Sequence, residues 1–346
     1  MISDLITNSR LKTARACARE HHMRYGLGYR SRHTDDALRF GDLIHVALEA
    51  WWRNRWSGHR VTLAIDALGK EADPFERARA EAMILGYEAK WSDARLDPIA
   101  VEVEFAGDMV NPDTGKSSRT WRIAGKLDVL ALDLDTGRVV IVEHKTSSED
   151  VSLGSPYWRR LRMDSQVSLY FDGAALLGHP AEACIYDVLA KPGQRPLKAT
   201  PPEARKYKQK TGELYANQRE HDETPDEYRE RIINAIAEAP DAYYARGEVV
   251  RLESELADAR YDVWSTARTI RDNDLANRHP RNPDACTRYG RTCSFFDVCS
   301  GAASLDDAER FERRANPHSE LVMIHPKPRT KEESPSNGQS ESHARP

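Results

Sequence analysis

Residues 138–146, Arg-Val-Val-Ile-Val-Glu-His-Lys-Thr, constrain the fold more than any other stretch of this chain. Four consecutive aliphatics, Val139 to Val142, read as a buried strand. Charge then arrives abruptly, at Glu143 and Lys145. Residues two apart on a strand point to the same face, so these two side chains project together from its end. Burying a carboxylate and an ammonium is costly unless they are paired or bind something. Fifteen residues before Glu143 lies Asp128, inside a second candidate strand, Ile123-Ala-Gly-Lys-Leu-Asp-Val-Leu-Ala-Leu132. Asp133-Leu-Asp-Thr-Gly137 supplies a hairpin turn between the two. An Asp on one strand and Glu-x-Lys on the next can converge two carboxylates and one amine at a point. That is a divalent metal site with a charged assistant beside it. A simple salt bridge at a strand end is the plainer alternative.

A chain of 346 residues is long enough for one large domain or two small ones. Its formal net charge is −4, so global charge does not announce nucleic-acid binding and any basic surface must be local. No apolar run approaches the roughly 18 residues of a membrane span, and no signal peptide is visible at Met1-Ile-Ser-Asp. The expectation is a soluble, cytoplasmic protein with no membrane partner. The five cysteines, an odd number, argue against a disulfide framework. Cys286, Cys293 and Cys299 crowd into fourteen residues, and that clustering needs a reason.

In chain order, residues 5–30 read as a basic helix with Ser9 as N-cap and one cysteine, Cys17. Taken alone this is a solvated helix with a buried thiol. Residues 35–56 form an amphipathic helix whose apolar face includes Leu43, Ile44, Leu48, Trp51 and Trp52. His45 sits among them, either a core-boundary histidine or a metal ligand. Residues 61–96 look helical, and Ile99–Phe105 alternates with period two as a strand bearing Glu102 and Glu104 on one face. With the strands near 120–132 and 138–145 this makes a three-stranded meander. A helix over 157–178 puts Gln166 and Tyr170, four apart, on one face. Ala183–Leu189 is a further strand, in which Cys184 is a small buried hydrophobe. From Lys191 to Lys210 seven Lys or Arg stand against one Glu, so 191–224 reads as a mobile basic insertion, either meeting phosphates or merely solvated. Thr224-Pro-Asp-Glu227 fits a capping box opening a helix to about Ala239. Glu248–Leu252 is a short strand, 254–276 a long helix, and 325–346 a disordered tail of polar composition.

Gly125-x-x-Asp128, Glu143-x-Lys145 and Gln166-x-x-x-Tyr170, with His45 upstream, resemble the PD-(D/E)XK nuclease superfamily. More narrowly they resemble its RecB-like exonuclease branch, with CRISPR-associated and phage exonucleases. The resemblance spans roughly residues 9–300. It implies an α/β, restriction-endonuclease-like core: a mixed central sheet flanked by helices, with a helical periphery carrying a metal cluster. The whole of 1–324 would then be one nuclease domain. His45, Asp128, Glu143 and the backbone carbonyl of His144 would hold Mg²⁺ or Mn²⁺. Lys145 would orient the attacking water, and Gln166 and Tyr170 would position the lysine or the DNA backbone. Glu102 or Glu104 would be a further acidic contributor. Cys17, before these motifs, and Cys286, Cys293 and Cys299, after them, have the order of ligands to a [4Fe–4S] cluster, with Zn²⁺ as the alternative. Two departures concern that cluster: six residues separate Cys286 from Cys293 where two are common, and Ala18 stands where the family often has proline. The implied activity is metal-dependent DNA hydrolysis, exonucleolytic on single strands or ends, in recombination, repair or phage DNA processing. A helicase or recombinase would be a fitting partner. The alternatives are an endonuclease of the same fold and a non-catalytic DNA-binding recombination scaffold.

Overall fold

The aliphatic run of 139–142 is the middle of a mixed six-stranded sheet. This computed structural model describes residues 4–33, 36–288 and 291–324. The sheet comprises β1 (Leu5–Ile6), β2 (Leu96–Val110), β3 (Ser117–Asp133), β4 (Val139–Ser147), β5 (Ala183–Ala190) and β6 (Tyr244–Val249). β2, β3 and β4 form the expected antiparallel meander. β5 runs parallel to β4, and β6 closes the sheet antiparallel to β5. The turn between β3 and β4 works because Gly137 takes a left-handed φ of 73° and donates its N–H to the Asp133 carbonyl at 2.7 Å.

Both faces of the sheet are covered, and period-two alternation decides which side chain goes where. Leu130 and Ile141 pack on one face, with helices α1 (Asn8–Ala16), α6 (Ser165–Leu176) and α8 (Glu253–Leu275). Val129, Ala131, Val140 and Val142 pack on the other. There they meet α2 (Asp36–Arg53), α3 (Arg60–Ala67), α4 (Pro74–Trp91) and α7 (Pro225–Glu238). The α/β architecture with a mixed, helix-flanked sheet is the one expected.

Several boundaries move. The helix expected over 61–96 is two, because Asp73 caps a fresh start with Pro74 at its first position. The helix expected over 157–178 is also two, α5 (Pro156–Arg162) and α6, since Asp164 accepts the Gln166 N–H and begins a new N-terminus. Thr7, not Ser9, caps α1, and Cys17 is an extended residue between helical turns rather than part of a helix. β1, two residues long, left no periodic signal. The strand expected at 248–252 lies at Tyr244–Val249.

The capping box at Thr224 forms as read. The basic segment 191–224 lacks long regular structure, and some of its charges are partnered: Lys198 with Asp222 and Lys208 with Glu213 inside it, and Arg219 with Glu227 at the start of α7. Among the described residues no helix is long and apolar enough to cross a membrane. The tail expected beyond 325 lies outside the described residues.

Candidate active site

The site forms where the sheet opens. The β3–β4 ladder runs from Leu132–Val139 to Val129–Val142 and stops there. Further along the same edge of β3, β1 pairs at Arg122 and Ile123. Asp128 lies in the gap between, where its Oδ2 accepts the backbone N–H of His144 at 2.8 Å. A side-chain carboxylate has replaced the ladder's carbonyl, and the two strands part around it.

Three donors gather at this opening. His45 comes from α2, and its Nδ1 is 3.7 Å from Asp128 Oδ2. Glu102 comes from β2, at the position facing Asp128 in the β2–β3 register. Ligand atoms of His45, Glu102 and Asp128 all lie within 4.8 Å of one another. Burial pushes the His45 imidazole down despite the nearby Asp128 carboxylate. Burial and then Asp128 push the Glu102 carboxyl up, against its ion pair with Lys126. Of the two acids expected to alternate for this role, only Glu102 is here. Glu104 is taken up by the backbone N–H groups of Val322, Met323 and Ile324.

Glu143 and Lys145 face the same opening from β4. Lys145 Nζ donates to Glu143 Oε1 at 2.5 Å and to Gln166 Oε1 at 2.9 Å. Gln166 Nε2 donates in turn to Glu143 Oε1 at 2.8 Å and to the Tyr170 hydroxyl at 2.7 Å. The four side chains are thus one hydrogen-bonded chain, with Gln166 and Tyr170 a helical turn apart on α6. Burial, and then Asp128, push the Glu143 carboxyl up to about 8. Burial works to lower Lys145, but the Glu143 and Asp128 carboxylates raise it on balance. The other Glu143 oxygen, Oε2, is buried without a hydrogen-bond partner. A buried, unsatisfied carboxylate oxygen beside a second carboxylate is the donor a dication would satisfy. The residues present therefore fit a divalent ion.

Behind the site lies a buried polar network that the sequence reading missed. Asp187 of β5 accepts from Tyr87 at 2.5 Å and Arg246 at 2.8 Å, and lies 3.5 Å from His144 Nδ1. Trp52 Nε1 donates to the Tyr87 hydroxyl at 3.1 Å. Burial opposes the Asp187 anion, but Arg246 and His144 more than offset it and hold the carboxyl below the usual range. The signal was available: Asp187 interrupts the apolar run Cys184-Ile-Tyr-Asp-Val-Leu189 as abruptly as Glu143 ends its own. The network braces the segment carrying His144, whose N–H holds Asp128.

Cys17, Cys286, Cys293 and Cys299 come together in space. They line one recess of about 560 Å³ with Glu20, Phe295 and Phe296. The recess joins the chain's early and late segments, since Asn282 donates to the Ala16 carbonyl at 2.9 Å and Arg19 N–H to the Pro280 carbonyl at 3.1 Å. Burial pushes the Cys293 thiol up to about 11. Among the described residues, the His/Cys/Asp/Glu groups whose donors approach within 4.8 Å of one another include no cysteine. As they stand, the sulfurs are not gathered around a single ion. Cys184 is buried elsewhere, in the core, as expected.

Against known proteins, the chain matches the model of the PD-(D/E)XK nuclease superfamily over residues 6–300. No curated protein matches it. Among solved structures, it is similar to a candidate exonuclease from Eubacterium rectale, with 10% identity, 87% of this chain and 89% of that one covered, and a TM-score of 0.45. It is also similar to a phage-related exonuclease from Haemophilus somnus 129PT, with 12% identity, coverage of 80% and 96%, and a TM-score of 0.33. At such scores neither likeness bears on substrate or mechanism.

Proposed function

Since the chain belongs to the PD-(D/E)XK nuclease superfamily, we propose that it is a metal-dependent DNA exonuclease acting on single strands or ends. The observation that carries this reading is the orphaned Glu143 Oε2 beside Asp128, with Lys145 held 2.5 Å from the same carboxylate. His45, Asp128, Glu143 and the carbonyl of His144 would hold Mg²⁺ or Mn²⁺, with Glu102 as a further oxygen donor. When bound, such an ion polarises the scissile phosphate and acidifies a water. Lys145 orients that water and stabilises the charge that develops on the phosphate oxygens. Gln166 fixes the lysine in place, and Tyr170 fixes Gln166. Each link removes rotational freedom from the group nearest the reacting atoms.

Lys145→Ala is expected to lower cleavage by at least about 10²-fold, the loss typical of removing one preorganised electrostatic contact. Folding and DNA binding should persist. Full activity in that variant would sink the mechanism. Linear and closed-circular DNA, single- and double-stranded, assayed with Mg²⁺, separate the readings. Degradation of linear DNA alone supports an exonuclease. Cutting of circles makes it an endonuclease, and binding without any cleavage makes it a scaffold.

We propose that the cysteine recess is the seat of a [4Fe–4S] cluster. An iron–sulfur cube, with iron and sulfide between its ligands, spaces its thiolates farther apart than one zinc ion does. What supports a shared cofactor is that all four cysteines line one recess. Anaerobic purification should give a brown protein with about four irons per chain. A colourless protein with one zinc per chain would replace the cluster by zinc.

A further inference from the structure

A second group of donors lies apart from both the nuclease site and the cysteines: His22, Asp274 and His279. Three separate features bring it together. His22 opens a single π-helical turn, His22–Gly26, closed by the Leu27 N–H on the His22 carbonyl at 2.8 Å. Such turns are frequent at functional positions. Asp274 stands in the last turn of α8. Just beyond, Asn277 takes a left-handed φ of 50° and ends the helix, turning the chain so that His279 comes back against Asp274. His279 Nε2 is 3.1 Å from Asp274 Oδ1, and the His22 and His279 rings stack at 3.7 Å.

We infer that His22, Asp274 and His279 form a site for one borderline dication of the zinc class, separate from the nuclease site. Donor atoms of all three lie within 4.8 Å of one another. A tetrahedral ion with bonds of about 2.0–2.1 Å needs its donors roughly 3.3 Å apart and must lie in the plane of each imidazole, so the His22 ring has to turn out of its 20° stack on His279 to close the site. Two imidazoles and one carboxylate favour zinc, cobalt or nickel over magnesium, and leave a fourth position for water. The plainer reading is a structural His279–Asp274 hydrogen bond with His22 stacked above. It leaves His22 Nδ1 buried without a partner. Binding instead replaces the His279–Asp274 hydrogen bond with the ion, any proton on Nε2 leaving to solvent or to Nδ1, and gives the second imidazole a role. The ion clips residue 22 to the end of α8, where Arg19 Nε already donates to the His279 carbonyl at 2.9 Å. It therefore braces the same early-to-late junction that frames the cysteine recess.

The test uses the full chain carrying Asp128→Asn, which silences the nuclease ion, titrated with Co²⁺ and then Zn²⁺. One Co²⁺ should bind with a visible ligand-field band and no sulfur-to-cobalt charge transfer, and Zn²⁺ should displace it. His22→Gln and His279→Gln should each weaken binding at least tenfold. If a variant folds poorly, the same point is read from melting. Zn²⁺ should raise the melting temperature of the parent and leave that of His22→Gln unmoved. Binding or Zn²⁺-dependent melting unchanged by both substitutions overturns the inference. So does a Co²⁺ spectrum that reports thiolate ligands alone. The inference does not rest on the nuclease reading, because loss of cleavage in Lys145→Ala leaves this titration as it is.

Discussion

Glu102 is the residue on which the site's geometry turns. Its φ is +52°, and among the described residues outside glycine only Asn277 shares that sign. An L-residue in this region costs about 1–2 kcal/mol, and a strand offers nothing local to compensate. The kink has a visible consequence. Period-two alternation puts Glu102 and Glu104 on one face, but the left-handed step parts them, sending Glu102 to Asp128 and His45 and Glu104 to the late segment at 322–324. Here the sequence offered both acids and had no means of choosing, because alternation assumes extended backbone throughout. Asp128, Glu143 and Lys145 were legible because the backbone carrying them stays extended. Replacing Glu102 by Gly and by Ala separates backbone from carboxylate. Both variants lose the partly exposed Lys126 pair, worth at most about 1 kcal/mol, and both should bind the nuclease ion more weakly. The Gly variant should be the more stable by about 1 kcal/mol in denaturant unfolding, inverting the usual order for a strand. Ala equal to or ahead of Gly removes the strain argument.

At the scale of elements, the question is what sets the height of α6 above the sheet, since Gln166 and Tyr170 must reach β4. Phe105 of β2 answers it. A Cβ on Gly125, its register partner in β3, would come within 2.7 Å of the Phe105 ring, and one on Gly173 of α6 within 2.5 Å. Tyr170 meets the same ring edge-on at 6.2 Å between centroids. The glycine in Gly125-x-x-Asp128 thus acts through packing: it lets Phe105 lie flat enough for α6 to descend. In an ordinary helix Gly→Ala gains up to about 1 kcal/mol, whereas forcing a methyl into a filled core costs about 1–3 kcal/mol. Gly173→Ala should therefore destabilise the protein, and should lower the turnover rate by lifting Gln166 and Tyr170 from Lys145. Adding Phe105→Leu should return part of the stability. A Gly173→Ala protein that melts higher than the parent contradicts this account. Nothing in the sequence pairs residues 105, 125 and 173, because contacts across a sheet and a helix leave no periodic mark. The split helices are different: Asp73 followed by Pro74, and Asp164 ahead of Gln166, are ordinary helix starts that an uninterrupted apolar stripe outweighed.

Across the whole molecule, the described early and late segments are fastened to each other and to the sheet. Every expected site residue and all four recess cysteines precede residue 301, and the family match also ends at 300. A chain stopped there would look complete from its motifs. Residues 311–324 indicate otherwise. Phe311–Arg313 pairs antiparallel with Tyr29–Ser31, and the Phe311 ring stacks on Phe295 beside the recess, 5.5 Å between centroids. The buried Arg30 guanidinium donates to the Pro317 carbonyl. Leu321 packs with Leu5 and Ala124, and Glu104 receives the N–H groups of 322–324. Ending the chain at Ser300 strips Arg30 and Glu104 of these partners and uncovers Leu5, on the strand beside the opening that holds Asp128. Arg30 keeps the Arg24 and Tyr29 carbonyls, but losing a hydrogen bond to a charged group still costs about 1.5–3 kcal/mol. The chain ended at Ser300 should therefore melt well below the full-length protein and lose activity with it. One ended at Ile324 keeps every contact named here and should match the full-length protein in both. Equal melting of the two truncations would mean that the late segment only lies on the sheet, and that β1 and the recess hold together without it.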